Sequence, residues 1–230
     1  MPSLPAWLRT PPPTLGLHLD AGRVTAVQVD RAGGATPVVR AVASAALPDG
    51  ALVPSLTSTN ILQRQAVVDA LRAVVEQIGG RPRRVAVAIA DTAAKVSLLP
   101  FEQVPAQVRD LEQLVRLQLR KSVPFPVEDA QVTWARGGEH AGFITLVVTA
   151  MRRDLVEEYE QVCAEAGLQA GTIDLATFNV INLASFGAQG TALPGDSLLV
   201  HVTATYASIA DLRDGALIFF RTRPHDAAEP

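Results

Sequence analysis

In residues 15–20 and 24–30 apolar side chains tend to fall on alternate positions, led by Leu15, Leu17 and Leu19, and residues 37–47 form a third run rich in Val and Ala. A period of two, with only Ala21-Gly22-Arg23 between the first two runs, predicts a three-stranded meander. The period then lengthens. Val67, Leu71, Val74 and Ile78 recur at helical spacing with Arg64, Asp69, Arg72 and Glu76 opposite, so a helix is expected there, opened by cap-like Asn60 and Gln63 and stopped at Gly79-Gly80. Residues 84–90 mix small and branched apolar side chains, as a strand covered on both faces and parallel to its neighbour does.

A second unit follows. Residues 96–101 read as a strand, and Pro105 is placed to open a helix through Lys121 with Val108, Leu111, Leu114, Val115 and Leu119 facing inward and Glu112 and Arg116 paired outside. Ser122-Val123-Pro124-Phe125-Pro126 must be extended, because each proline disfavours helix at the residue before it. Strands over 130–136 and 143–150, linked at Gly137-Gly138, complete a strand-helix-strand-strand insert. The clearest helix comes next: Leu155, Tyr159, Val162, Cys163 and Ala166 form one stripe ended by Gly167, which gives Cys163 a packing role, while Glu157, Glu158 and Glu160 make a solvated side. A short returning strand at 171–174 leads into residues 175–186, apolar nearly all round and expected to be buried between layers. Residues 197–203, 206–213 and 216–222 repeat the meander, and Leu198-Leu-Val-His-Val-Thr-Ala echoes Leu15-Gly-Leu-His-Leu-Asp-Ala. Two related halves are the inference.

Composition narrows the function classes. A chain of 230 residues, 48% hydrophobic and 19% charged, can bury a sizeable core, and its net charge of −3 supplies no basic stripe for nucleic acid. One cysteine and four dispersed histidines give neither a disulfide nor metal-ligand spacing, so a reducing, cytoplasmic setting fits and no metal is expected. The longest apolar run, 141–151, is shorter than the about 20 residues that cross a bilayer. The expected organisation is a proline-rich leader over 1–13, a first subdomain over 14–94 and 169–192, an insert over 95–168, the start of a second subdomain over 193–223 and a polar tail over 224–230.

Leu99-Pro-Phe-Glu102 and the run Asp110 to Asp129, with helix-Val-Pro-Phe-Pro at its centre, resemble the insert of the PilM family of type IV pilus assembly proteins. The likeness continues through Val147-Val-Thr-Ala-Met-Arg-Arg-Asp-Leu-Val156, 164–182 and 208–220. The cell-division protein FtsA is a more distant relative. The resemblance implies an α/β, actin-like (ribonuclease-H-like) duplicated fold with a small insert, its second half incomplete here. It also implies a place at the cytoplasmic face of the bacterial inner membrane, with contact to the membrane only through a partner, the short N-terminal peptide of a PilN-like protein.

The family's other trait is a nucleotide held by two strand turns, where glycine lets backbone N–H groups approach phosphate and carboxylates position hydrated Mg²⁺. Against that pattern His18, Asp20 and Thr25 stand at the Asp, Gly and Lys positions of the first turn, with Gly22 among its missing hydroxyls. In the second turn His201 and Thr203 replace Asp and Gly, leaving Thr205 family-like. A gapped register instead pairs Asp20 with Gly22. No catalytic residue and no ATP or magnesium cofactor are expected. The expected partner contact lies between the first half and the insert, with Arg116, Arg120 and Lys121 offering charge and Pro124-Phe125 a stiff apolar surface. An ATPase of the same fold and the cytoplasmic part of a GspL-like type II secretion protein are the alternatives. A last meander without covering helices is expected to belong to a longer protein or to associate through that half, with a second copy among the partners.

Overall fold

The computed structural model describes residues 12–30, 37–79, 84–186 and 195–225. The chain runs β1 (Leu15–Asp20), β2 (Arg23–Asp30), β3 (Val38–Ala46), α1 (Arg64–Ile78), β4 (Arg84–Ile89), β5 (Lys95–Phe101), α2 (Val108–Leu119), β6 (Ala130–His140) and β7 (Phe143–Arg152). Then come α3 (Arg153–Glu165), β8 (Gln169–Leu175), α4 (Ala176–Phe186), β9 (Asp196–Val202), β10 (Tyr206–Arg213) and β11 (Ala216–Pro224). Three sheets result, ordered β3-β2-β1-β4-β8, β5-β7-β6 and β9-β10-β11. The proposed leader and tail fall almost wholly outside the described residues.

Alternation decides the faces of the first sheet. Leu15, Leu17, Leu19, Val85, Val87 and Ile89 point to one side, where α1 and α3 cover them with Leu71, Leu155 and Tyr159, each at most 2% exposed. Burying one such side chain is worth about 1.5–3 kcal/mol, so this cluster holds the first half together. Cys163 lies in it, fully buried, and Gly79, left-handed at φ 74°, closes α1. As the 84–90 pattern implies, β4 runs parallel to both β1 and β8. The opposite face carries Gly16, His18, Ala86, Ala88, Thr172 and Asp174 and is only partly covered, with α4 beside it.

The insert sheet is antiparallel, and α2 seals one of its faces with Leu111, Val115 and Leu119 against Phe101, Leu146 and Val148. Arg116 bonds Glu112 at 3.0 Å, as the spacing requires, and also donates to the Val127 carbonyl at 2.8 Å, latching the proline-flanked segment to the helix. The third sheet meets the other two through a small cluster of Ile181, Ala210, Leu212 and Leu217, joined by Leu98, Val147, Phe178 and Phe220. Its outer face leaves Leu198 69%, Val200 55% and Val202 65% exposed.

Several local expectations are corrected. The β6–β7 turn is at Ala141-Gly142, with φ 52° and 82°, whereas Gly137-Gly138 sit inside β6, where the pairing register shifts between Arg136 and Glu139. A Cβ on Gly138 would stand 2.8 Å from that of Ala216, so the glycine is there for close approach to the third sheet. Pro105 precedes α2 without opening it, and Val108 and Leu114 point outward, because the single contact stripe is completed by Leu111, Val115 and Leu119. α4 is covered on one side only, with Leu183 80% exposed. Asn60 does not cap α1. Buried, it accepts from the Ser55 N–H at 2.6 Å and donates to the Ser55 and Ser58 carbonyls, while Glu158 receives the N–H groups of Asn60 and Ile61 at 2.8 and 3.1 Å. Glu158 is therefore a loop anchor and not part of a solvated face.

Candidate functional site

Two places gather chemistry. The first is where the β1–β2 turn, the end of β4 and the β9–β10 turn converge. His18 is half-buried, and desolvation, against the pull of the Asp20 carboxylate, holds its pKa below the usual histidine value; the nearby His201 ring pushes the same way as burial. The two histidines are thus brought together. Asp20 turns back onto its own hairpin, accepting the Ala21 N–H at 2.8 Å, and Thr25 pairs across strands with Ser44 at 3.3 Å. Gly22 is exposed, its carbonyl taken by the Leu47 N–H at 2.9 Å. The Thr203 hydroxyl accepts the N–H groups of Thr205 and Tyr206 at 3.2 and 3.1 Å, which makes it the brace of the β9–β10 turn, and the Thr205 carbonyl takes the His225 N–H at 3.0 Å.

The centre of this place is a residue the sequence reading did not single out. Asp91, in the 3₁₀ turn Asp91–Ala93 after β4, is 1% exposed. It accepts the Thr177 N–H at 3.1 Å and the hydroxyls of Thr177 and Ser208; Thr177 in turn meets His201 Nδ1 at 2.7 Å, and Ser208 meets Thr222 at 2.8 Å. Among the described residues no group of three or more His, Cys, Asp or Glu is arranged to hold a metal ion.

The second place is a groove under the face of the insert sheet that α2 leaves open. One cavity of about 550 Å³ lies between that face, α4 and the β10–β11 hairpin, and one of about 420 Å³ between it, α3 and β8. They share Thr133, Thr149 and Asp174, so the two cavities adjoin beneath the insert sheet. Burial raises the Asp174 carboxyl above its ordinary value, countered by the Leu175 N–H at 2.8 Å and reinforced by the Asp91 charge. Ionised, it is a partly desolvated acceptor facing an open groove. Glu157, Glu160 and Arg153 line one end, Trp134, Arg136 and Asp214 the other.

The sequence-derived contact residues lie elsewhere. Arg116, Arg120, Lys121, Pro124 and Phe125 are on or next to α2, across the insert sheet from this groove. Arg116 is engaged by Glu112 and the Val127 carbonyl, Arg120 pairs with Glu128 at 3.1 Å, and Phe125 packs on the insert core. Lys121 and Pro124 are exposed.

The family model described as type IV pilus assembly protein PilM matches residues 16–228. Among solved structures the chain is similar to a PilM–PilN type IV pilus biogenesis complex, with a TM-score of 0.78 at 20% identity over 93% of this chain and 62% of that one. It thus spans under two thirds of that relative's length. It is also similar to the cytoplasmic domain of EpsL, an inner-membrane component of the Vibrio cholerae type II secretion system, with a TM-score of 0.57 at 13% identity, covering 92% and 70%. A Bacteroides thetaiotaomicron protein with an actin-like ATPase fold gives 0.51 at 10% identity, covering 93% and 70%. A search of curated proteins finds no match. At these identities the likeness is one of fold, and it is the actin-like architecture expected above.

Proposed function

Because the chain belongs to the type IV pilus assembly protein PilM family, we propose that it is a non-catalytic adaptor at the cytoplasmic face of the inner membrane, holding the N-terminal peptide of a PilN-like membrane protein in the groove beneath the insert. The observation that carries this reading is the groove itself, two adjoining cavities whose shared wall carries a partly desolvated carboxylate. Such a groove suits an extended chain: apolar side chains settle against Val147, Met151 and Ile173 while Thr133, Thr149 and Asp174 take main-chain or cationic donors. In this reading attachment through the bound membrane peptide supplies the location; no helix among the described residues is long and apolar enough to cross a membrane.

In this reading the two strand turns have lost their use for a nucleotide. Thr203 braces its own turn, Asp20 bonds its own backbone, and the Asp91 carboxylate is filled by protein donors, which leaves little to position a magnesium-bound triphosphate. An ATPase of the same fold is the competing reading; a rise of several degrees in melting temperature with millimolar Mg-ATP would favour it. The EpsL likeness supports a GspL-like secretion role as a further alternative.

Fluorescence anisotropy with a labelled N-terminal peptide of a PilN-like protein tests the proposal. Binding is expected, and Thr133→Trp, which fills the junction of the two cavities, weakens it at least tenfold. Loss of binding in Arg120→Glu/Lys121→Glu with Thr133→Trp unaffected would move the site to the outer surface of α2.

A further inference from the structure

We infer that Asp91 is a positioning residue, the pin through which the first half holds the β10–β11 hairpin as a wall of the groove; the part that concerns peptide binding rests on the function proposed above. A carboxylate only accepts, so the Thr177 and Ser208 hydroxyl protons both point at Asp91. It follows that Thr177 receives the proton of His201 Nδ1, and Ser208 that of Thr222. Every proton in the network runs toward one oxygen pair. By this route β9 through His201, β10 through Ser208 and β11 through Thr222 are all tied to the 3₁₀ turn behind β4 and to the first turn of α4. Its centre, Asp91, Thr177 and Ser208, is buried, where a satisfied polar set is worth most and a broken one costs most.

The pin and the groove lie at opposite ends of the same two strands. Ser208 and Thr222 are cross-strand partners, and the hairpin tip at Asp214-Gly215, which lines the larger cavity, is six residues further along. At about 3.4 Å per residue that is a lever of roughly 20 Å, so a tilt of about 5° at the pin moves the tip by about 2 Å. Among the described residues, the small cluster around Leu212 and Leu217 and the close approach of Ala216 to Gly138 hold the far end against such a tilt.

Spin labels at Glu157→Cys and Ile218→Cys report the setting of the hairpin across the groove, because both positions are exposed and the buried Cys163 stays unlabelled. Ser208→Ala and Thr177→Val are expected to broaden the inter-label distance distribution while amide exchange in β4 and α3 is unchanged; Thr177→Ser, which keeps the hydroxyl, restores the narrow distribution. Peptide affinity falls about tenfold in the two variants with broad distributions. Distributions as narrow as in the parent chain would overturn the pin, and broad distributions with unaltered affinity would overturn its role in positioning the groove. If the parent chain binds no peptide, the function proposed above fails by itself, and the distance widths still decide the pin.

Discussion

Gly138 and Ala216 touch where the insert meets the third sheet, and the space between them is less than one methyl group: a Cβ on the glycine would come to 2.8 Å of the alanine's. Gly138→Ala is therefore expected to destabilise the protein by about 1–3 kcal/mol, the range for overfilling a close contact. Denaturant midpoints of the variant and of a relieving Gly138→Ala/Ala216→Gly pair check it. Recovery in the double variant identifies the contact as the cause.

His18 makes stability depend on pH. Burial keeps its folded pKa below 6.5, so the unfolded chain takes up a proton first as the medium is acidified. Its contribution is fully present above the unfolded value and is lost as pH falls from there through the folded value. Urea titrations between about pH 7.5 and about pH 5.5 should show stability declining on the acid side, with a shallower decline in His18→Gln. Equal slopes in the two proteins would remove His18 as the source.

Asp174 has the opposite sign. Its folded pKa is raised above 3.8, so ionisation at neutral pH works against folding, and the penalty appears as pH rises through the folded value. Asp174→Asn keeps an oxygen for the Leu175 N–H and removes the charge. We expect a higher melting temperature at neutral pH together with weaker peptide binding. A lower melting temperature would contradict the desolvation argument.

Cys163 is fully buried, and burial pushes its thiol up to about 11. Maleimide at neutral pH should leave it unmodified in the native protein and label it fully in denaturant, as mass spectrometry reads directly.

Asn60 ties the loop after β3 to α3, and Asn60→Ala strands the Ser55 N–H along with two carbonyls. A loss of about 1–3 kcal/mol follows, since the part-buried Ser55 N–H is left without its acceptor. Calorimetry on the variant measures it.

Much of this architecture was legible because burial alternates where the sequence alternates. Leu15-Gly-Leu-His-Leu-Asp reads as a strand and buries every second residue, and the helical stripe of α3 reappears with Leu155, Tyr159, Val162 and Cys163 enclosed. Local chemistry misled where long-range contact overrode it. Gly137-Gly138 looks like a turn, but the turn went to Ala141-Gly142, and Gly138 stands where another sheet presses on β6. At the candidate site, His18 and His201 could be placed near each other only through the resemblance, whose architecture brings the two strand turns to one cleft. Asp91 could not, since a single aspartate after a strand has no pattern and its donors Thr177 and Ser208 lie 86 and 117 positions away. Arg116, Arg120 and Phe125 could be grouped from the sequence as a charged and apolar set, but not which face of the insert sheet they would occupy; they lie on or beside α2, across that sheet from the groove.

β4 and β8 are hydrogen-bonded neighbours, although β5, α2, β6, β7 and α3 all lie between them in the chain. Within the insert β5 and β7 pair antiparallel with Lys95 opposite Ala150, so the excursion leaves and re-enters the scaffold side by side, and that module can be lengthened, shortened or re-dressed while the ladder beneath it keeps its register. Recognition can drift in such a protein without refolding the body that carries it.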